Sequence, residues 1–169
     1  MEIINSTIDD LDVIFNFYDM AVAFQKTKFD KHWQAFDREL VKNEIKERRQ
    51  WKIIIDDTVA CIFAITYSDK NIWGDRDKDP AMYIHRIVTH STYRGNNFVI
   101  EIINWARIHA KEKNKKFIRL DTWGDNQKLR EHYTKCGFNF LGVITPTNTS
   151  ELPKHYSAIT LSLFEIALH

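Results

Sequence analysis

The chain has 169 residues, the size of one ordinary domain that buries about 70% of the surface of its unfolded chain. Its 24 basic and 23 acidic residues give a formal net charge of +1, so bulk charge predicts neither nucleic acid nor an anionic membrane as a partner. No apolar run approaches the roughly 20 residues that a membrane-spanning helix needs, and we expect no membrane partner.

The first half of the chain predicts a strand, two helices and a β-hairpin. Apolar residues recur at helical spacing in the first helix, and the second strand of the hairpin is almost entirely apolar, as in the middle of a sheet. In chain order, we expect a strand at Ile3-Ile4, a helix from about Ile8 to Gln25, an irregular segment from Lys26 to Trp33, a helix from Asp37 to Arg49, and strands Trp51 to Ile55 and Val59 to Tyr67 around a turn at Asp56-Asp57.

The polar segment Ser68 to Pro80 is predicted to be a loop. Its alternating acids Asp75, Asp77 and Asp79 resemble the start of a calcium loop. Such a loop requires glycine where Pro80 stands, and a glutamate at its twelfth position, which this sequence lacks. We therefore expect a solvated loop and no metal ion.

The second half alternates strands with helices. We expect a strand Met82 to Val88, a turn at Tyr93-Arg94-Gly95, a helix that opens at Arg94 or Gly95 and closes at Asn114 to Lys116, a strand Phe117 to Thr122, a helix Asn126 to Lys135 capped by Gly137, a strand Phe138 to Ile144, a loop Thr145 to Pro153 and a last strand Tyr156 to Glu165. A helix that opens behind such a turn offers free backbone N–H groups and a positive dipole end to a phosphate. The turn is therefore a candidate nucleotide or coenzyme site.

The cysteines and the start of the chain favour a reduced, cytoplasmic protein. Cys61 and Cys136 have no metal-ligand spacing, and two thiols without such a pattern are typical of a reducing compartment. Residues 1–4 lack the basic and apolar regions of a signal peptide.

Between Tyr83 and Phe138 the sequence resembles the GNAT superfamily of acetyl-CoA-dependent N-acetyltransferases. The matching motifs, in the order of the family, are Tyr83-Ile84-His85-Arg86-Ile87-Val88-Thr89-His90, Tyr93-Arg94-Gly95, Leu120-Asp121-Thr122-Trp123, Asn126 with Leu129 and Tyr133, and Gly137-Phe138. Each motif is weak alone, and the element order extends the resemblance to nearly the whole chain. It implies an α/β, GNAT-like acyl-CoA N-acyltransferase fold: one domain over residues 1–169, with a central mixed, twisted sheet flanked by helices.

The resemblance implies that acetyl-CoA is the co-substrate. Backbone groups of the family's fourth strand pair with the pantetheine arm, and the following turn holds the pyrophosphate. The implied coenzyme-binding residues are Ile87, Val88, Thr89, Arg94, Gly95, Asn96, Asn97, Phe98, Val99, Asn126 and Tyr133.

This turn departs from the family pattern. The family turn usually reads arginine or glutamine, two residues, glycine, one residue, then glycine or alanine. Asn97 and Val99 stand at the two glycine positions, so we expect weaker coenzyme binding.

Three residues are the candidate catalytic groups. Tyr133 would serve the departing thiolate, or it packs as an ordinary helix tyrosine. The general base is left open between His85, Asp121 and a water chain, since His85 could be a core residue and Asp121 could pair with Arg119 or Arg86. Asn126 would bond the pantetheine amides, cap its helix, or do both.

Aromatic residues are candidates for contacts with the acceptor, although each could equally belong to the core. They are Phe24, Phe29, His32, Trp33 and Trp73, together with the loop Thr145 to Tyr156.

We interpret the chain as an N-acetyltransferase that moves an acetyl group from acetyl-CoA to an amine of a small molecule or peptide by direct attack on the thioester. It would act as a monomer or homodimer, without a metal or nucleic acid. One alternative is a non-catalytic acyl-CoA-binding or regulatory domain, which the altered turn favours and Tyr133 and Asn126 oppose. Another is an interaction domain without a coenzyme.

Overall fold

The computed structural model describes residues 1–146 and 159–169. Apart from the short helix α3, which was not predicted, its longer elements follow one another in the predicted order. They are β1 (Glu2–Asn5), α1 (Leu11–Lys28), α2 (Arg38–Lys46), β2 (Gln50–Ile55), β3 (Thr58–Thr66), α3 (Lys70–Trp73), β4 (Ala81–Thr89), α4 (Phe98–Glu112), β5 (Phe117–Trp123), α5 (Gln127–Lys135), β6 (Asn139–Ile144) and β7 (Leu161–Ala167), with short 3₁₀ helices at Ile8–Asp10, Gly74–Lys78 and Ser91–Tyr93.

Seven strands form one mixed sheet in the order β1-β2-β3-β4-β5-β7-β6. The β1–β2, β2–β3, β5–β7 and β6–β7 pairs are antiparallel, whereas β4 and β5 are parallel and joined by the crossover helix α4. The predicted α/β fold with one parallel crossover is therefore confirmed. In the described part of the chain, none of the helices combines the length and apolar character needed to cross a bilayer.

The chain divides into two compact units, and β4 contributes to both. The first unit comprises Met1–Ile65 and Arg86–Phe98, and the second comprises Thr66–His85 and Val99–His169. The expectation of a single domain stays a prediction.

The first unit has its core where one face of α1 packs with residues from α2, β3 and β4. Burial of such side chains contributes on the order of 1.5–3 kcal/mol each. The buried members are Leu11, Ile14, Phe17, Tyr18, Val41, Ile62 and Val88.

The second unit buries residues of α3 against three strands, β4, β5 and β7. One cluster joins the two aromatic rings of Trp73 and Tyr83, which lie 5.5 Å apart, to the apolar residues Ile72, Ala81, Ile159, Leu161 and Leu163. Arg119 of β5 lies beside this cluster, only 1% exposed, and its guanidinium lies 4.9 Å from the Trp73 ring.

The crossover helix α4 begins at Phe98, so the predicted start at Arg94 or Gly95 is wrong. Gly95 has φ 89° and Asn97 has φ 53°, and a right-handed helix cannot contain such left-handed residues. The helix can begin only after Asn97. Asparagine tolerates this conformation better than most other side chains.

The segment Ser68 to Pro80 is not the solvated loop that its composition predicts. It forms α3 and the 3₁₀ helix Gly74–Lys78. Burial acts to raise the pKa of Asp77, but hydrogen bonds from the Asp69 N–H, the Tyr83 hydroxyl and the Ser68 hydroxyl outweigh it and lower that pKa. Two to three donors on one carboxylate make it a structural anchor.

Three other boundaries also differ from the predicted ones. Helix α1 extends to Lys28, where Lys26 and Lys28 suit the negative end of the helix dipole. Helix α2 ends at Lys46 because Arg48 adopts φ 60°. Strand β7 begins at Leu161; of its predicted start, residues 156–158 lie outside the described residues, and residues 159–160 are not in the strand.

Candidate active site

The parallel ladder between β4 and β5 ends just before two of the predicted catalytic residues. Its paired residues are Ala81–Tyr83 with Phe117–Arg119. His85 and Asp121 stand two residues further along each strand and are not a ladder pair. Their side chains project from the sheet at the point where the two strands stop exchanging hydrogen bonds.

The structure brings His85 and Asp121 together and adds a third group. The Nδ1 atom of His85 lies 4.0 Å from Oδ1 of Asp121, and its Nε2 atom lies 3.4 Å from Oδ2 of Asp69. The side chains of His85, Asp121 and Asp69 are 18%, 3% and 10% exposed. Asp69 stands directly before α3, and sequence reasoning missed it because its local sequence carries no catalytic pattern.

Burial makes the Asp121 carboxyl an unusually weak acid. It raises the pKa of Asp121 to about 7; the negative charge of Asp69 adds to the rise, whereas the charge of His85 opposes it. Among the described residues, neither Oδ1 of Asp121 nor Oδ2 of Asp69 has a hydrogen-bond partner. Near neutral pH Asp121 can therefore both take up and release a proton.

Tyr133 of α5 lies in the neighbourhood of Asp121. Burial raises the pKa of its phenol to about 12, with smaller contributions from Cys136 and Asp121. Its ring packs against Phe138 and Phe164, with centroids 5.9 and 5.3 Å away. The ring is thus packed between other aromatic side chains, and the hydroxyl is protonated at neutral pH. A role of this hydroxyl toward the thiolate stays a prediction.

Asn126 caps α5. Its Oδ1 atom accepts a hydrogen bond of 3.1 Å from the N–H of Leu129, and Gly137 follows the helix with φ 105°. The predicted capping roles of Asn126 and Gly137 are confirmed. A contact of Asn126 with a coenzyme stays a prediction.

Asp69, His85 and Asp121 also have the residue types of a metal site, and their ligand atoms lie within 4.8 Å of one another. Yet the two carboxylates lie nearest to different nitrogens of one imidazole. A single ion bound about 2.1 Å from one nitrogen would lie on the side of the ring away from the carboxylate nearest the other nitrogen. The geometry favours an imidazole held between two carboxylates.

The predicted pyrophosphate turn joins β4 to α4. The N–H groups of Arg94 and Asn96 bond to carbonyls within the turn, at 3.3 Å each. Helix geometry leaves the N–H groups of Phe98 and Val99 without an intrahelical acceptor, which is what a phosphate requires. Arg94 is part of this turn, and its guanidinium lies 4.5 Å from the ring centroid of Phe24.

Residues 86–89 of β4 lie in the first unit. Arg86 has φ 52°, which is rare for a strand residue, and its guanidinium pairs with the buried Glu44 and donates to the Tyr18 hydroxyl at 3.2 Å. These contacts hold a strained turn of the backbone directly before the predicted pantetheine-pairing residues. Those residues are Ile87 and Val88, and Thr89, whose hydroxyl lies 3.6 Å from Sγ of Cys61.

The aromatic residues predicted to contact the acceptor differ in how far they are buried. Trp73 is only 4% exposed and belongs to the core of the second unit. Phe24 and Phe29 are 41% and 53% exposed, while Trp33 packs edge-on to Tyr18 at 6.2 Å. His32 lies beside Trp33 and hydrogen-bonds its carbonyl at 2.9 Å. Residues 147–156 of the predicted contact loop lie outside the described residues.

The sequence model of the acetyltransferase (GNAT) family matches residues 16–138, more than half of the chain. The chain therefore belongs to this family, and the resemblance predicted from its motifs is confirmed.

One curated relative is an uncharacterised N-acetyltransferase of Bacillus subtilis, YesJ. The two proteins are 32% identical over 76 residues, which are 44% of this chain and 41% of that protein. The match thus spans less than half the length of this relative.

Solved structures of the family share the fold over nearly the full chain. An acetyltransferase of the GNAT family from Listeria monocytogenes has a TM-score of 0.80 at 20% identity, covering 99% of this chain and 94% of that one. One from Streptococcus agalactiae has a TM-score of 0.76 at 17% identity, covering 99% and 95%. YncA of Salmonella typhimurium, solved with its cofactor acetyl-CoA, has a TM-score of 0.71 at 12% identity, covering 100% and 94%. At these identities the likeness shows the fold alone.

Proposed function

We propose that the protein transfers an acetyl group from acetyl-CoA to an amine of a small molecule or peptide. The observation that carries the proposal is the meeting of His85, Asp121 and Tyr133 in one neighbourhood of a family fold. An amine must lose a proton as it attacks a thioester, and the departing thiolate needs a donor. The His85–Asp121 pair supplies the proton acceptor, and the protonated Tyr133 supplies the donor.

We assign each part of acetyl-CoA to the residues whose chemistry suits it. Acetyl-CoA supplies the thioester. The free N–H groups at the start of α4, with Gly95 and Asn97 shaping the turn, suit a pyrophosphate. Backbone groups of residues 87–89 would pair with pantetheine, and Arg94 would add positive charge beside the phosphates.

The compartment and the class of acceptor are proposed from the cysteines and the net charge. Both cysteines are free thiols, Cys61 and Cys136, which agrees with a cytoplasmic protein. The near-zero net charge supports a small-molecule or peptide acceptor over nucleic acid. We propose a monomer or homodimer.

Two measurements on the wild type test the activity. Acetyl-CoA should raise the melting temperature, because a ligand that binds only the folded state stabilises it. Free thiol should then appear with at least one member of a panel of small amines and N-terminal peptides. A thermal shift without thiol release would favour the non-catalytic acyl-CoA-binding alternative, and no shift at millimolar acetyl-CoA would leave only the interaction domain.

The departures in the turn should weaken coenzyme binding without abolishing it. The β-branch of Val99 narrows the approach to the first turn of α4, so Val99→Ala should tighten the dissociation constant of acetyl-CoA by about fivefold, equivalent to about 1 kcal/mol. Asn97→Gly should change it less, because Asn97 already adopts the left-handed conformation that glycine would supply.

Calorimetry of the three proteins with acetyl-CoA measures both effects. Ile108→Ala is a matched control, since Ile108 lies on the same helix and is 65% exposed. If Val99→Ala and Asn97→Gly both match wild type, the phosphates bind elsewhere and our placement of the site is wrong.

A further inference from the structure

Three titratable groups from separate segments meet where the β4–β5 ladder ends. His85 comes from β4, Asp121 from β5, and Asp69 from the residue before α3. The imidazole lies between the two carboxylates, 3.4 Å from Asp69 and 4.0 Å from Asp121. All three side chains are at least four-fifths buried, so their charges interact with little screening by solvent.

The two carboxylates differ in surroundings. Asp69 is tied to a hydrogen-bonded segment, because its backbone N–H donates to Asp77 at 2.7 Å. Asp121 is the more deeply buried, and its Oδ1 atom accepts no hydrogen bond within the part of the chain that the structure describes. Oδ2 of Asp69 also lacks a donor among the described residues, so burial is what distinguishes the two carboxylates: Asp121 is 3% exposed and Asp69 is 10% exposed. The more deeply buried oxygen is the atom of the cluster best suited to take a proton.

Among the described residues, three titratable groups from three elements act on Asp121 or are acted on by it, and strand β7 places the apolar Leu163 opposite it. The three groups are His85 on β4, Asp69 before α3 and Tyr133 on α5. Of these, Tyr133 is uncharged at neutral pH because burial raises its pKa to about 12. The charge state of Asp121 therefore depends on His85 and Asp69, which act in opposite directions: the cation favours the carboxylate and the anion disfavours it.

We infer that Asp69, His85 and Asp121 act as one unit, in which Asp121 accepts the proton of the acceptor amine and Asp69 acts as a positioning residue that holds His85 beside it. This inference rests on the proposed function and adds both the proton-accepting atom and a residue without an assigned role. When the amine attacks, one N–H bond breaks, its electron pair stays on nitrogen, and one O–H bond forms at Oδ1 of Asp121.

Replacing Asp69 or His85 with an uncharged side chain should shift the pKa of Asp121 in opposite directions. Asp69→Asn removes a negative charge that opposes ionisation of Asp121, so the pKa of Asp121 should fall by roughly one unit. His85→Gln removes a positive charge that favours ionisation, so that pKa should rise by roughly one unit. Asp75→Asn removes the same charge from a side chain that is 96% exposed and should change nothing.

Carbon-13 NMR of carboxyl-labelled aspartate in the coenzyme-free protein measures these values directly, and the assignment comes from Asp121→Asn. In wild type, Asp121 should titrate near a pKa of about 7. The acid limb of kcat/KM should move with it, because only the deprotonated carboxylate accepts a proton. The acid limb of kcat/KM should therefore move to lower pH in Asp69→Asn and to higher pH in His85→Gln. Melting curves confirm that each variant is folded; if one is not, the other still predicts a shift of stated sign.

The outcomes separate the two proposals. Opposite NMR shifts without thiol release in wild type would support the coupling of Asp121 to Asp69 and His85, but would overturn the acetyltransferase and with it the proton-accepting role of Asp121. Acetyl transfer with an Asp121 that titrates as an ordinary aspartate, or with shifts of the same sign in both variants, would overturn the unit and leave the enzyme in place.

Discussion

Replacing Tyr133 with phenylalanine should lower kcat by about ten- to a hundredfold. The expected size follows from how weak an acid the buried phenol is. Burial raises its pKa to about 12, whereas a thiol has a pKa of about 8.5, so complete proton transfer to the thiolate would be uphill. Donation of a hydrogen bond to the developing charge costs no such transfer and contributes about 1.5–3 kcal/mol.

The same argument predicts what should not change. A phenol with a pKa of about 12 does not titrate between pH 6 and 9, so Tyr133→Phe should keep the shape of the pH profile of kcat. The dissociation constant of acetyl-CoA should stay within about twofold, because the ring retains its packing on Phe138 and Phe164.

Tyr67→Phe is the matched control. It removes a hydroxyl from a partly buried tyrosine whose oxygen lies 2.9 Å from Nε2 of His109. We expect its kcat to equal that of wild type. A Tyr133→Phe variant that is as active as Tyr67→Phe would reduce Tyr133 to a packing residue and leave the thiolate without an assigned donor.

The fold was predictable because its signals are local. Periodicities of two and 3.6 residues identified β4, α4, β5 and α5, and the order of these elements defined the crossover. The start of α4 was misplaced because composition does not reveal the sign of φ at individual positions of the turn. Only the left-handed geometry of Gly95 and Asn97 delays the helix to Phe98.

The site was predictable in part, for a physical reason. His85 and Asp121 stand on neighbouring parallel strands, so their proximity follows once the strands are paired. Asp69 comes from the segment before a four-residue helix, and no pattern in the sequence fixes where such a segment folds back. The alternating acids of the same segment suggested solvent or calcium, but Asp77 and Asp79 accept hydrogen bonds from residues of the sheet.

Arg119→Leu should lower the free energy of unfolding by about 3 kcal/mol, the size expected when one member of a buried ion pair is removed. Arg119 is 1% exposed, and it donates to Glu165, Asp79 and the Arg76 carbonyl at 2.7 Å each, and to the Tyr83 hydroxyl at 3.2 Å. The sequence left open a pair of Arg119 with Asp121, but the guanidinium pairs with these residues instead.

The exposed fractions of Asp79 and Glu165 decide how much each ion pair with Arg119 contributes to stability. Glu165 is 18% exposed and stays buried without its partner, whereas Asp79 is 47% exposed and can be solvated. Asp79→Asn should therefore cost less than about 1 kcal/mol. Urea unfolding measures these differences as shifts of the transition midpoint. Arg107→Leu, at an exposed arginine, serves as the control and should stay within about 0.5 kcal/mol of wild type.

A double variant tests whether the stability lost in Arg119→Leu arises from the unpaired charge of Glu165. Glu165 lies directly across the β5–β7 ladder from Arg119, so Arg119→Leu with Glu165→Leu places two apolar side chains opposite each other. Because no charge is then left buried, the double variant should recover at least half of the stability lost by Arg119→Leu. If the double variant is less stable than Arg119→Leu alone, the arginine stabilises the second unit through its bonds to Arg76 and Tyr83, and the ion pair with Glu165 is not the main contribution.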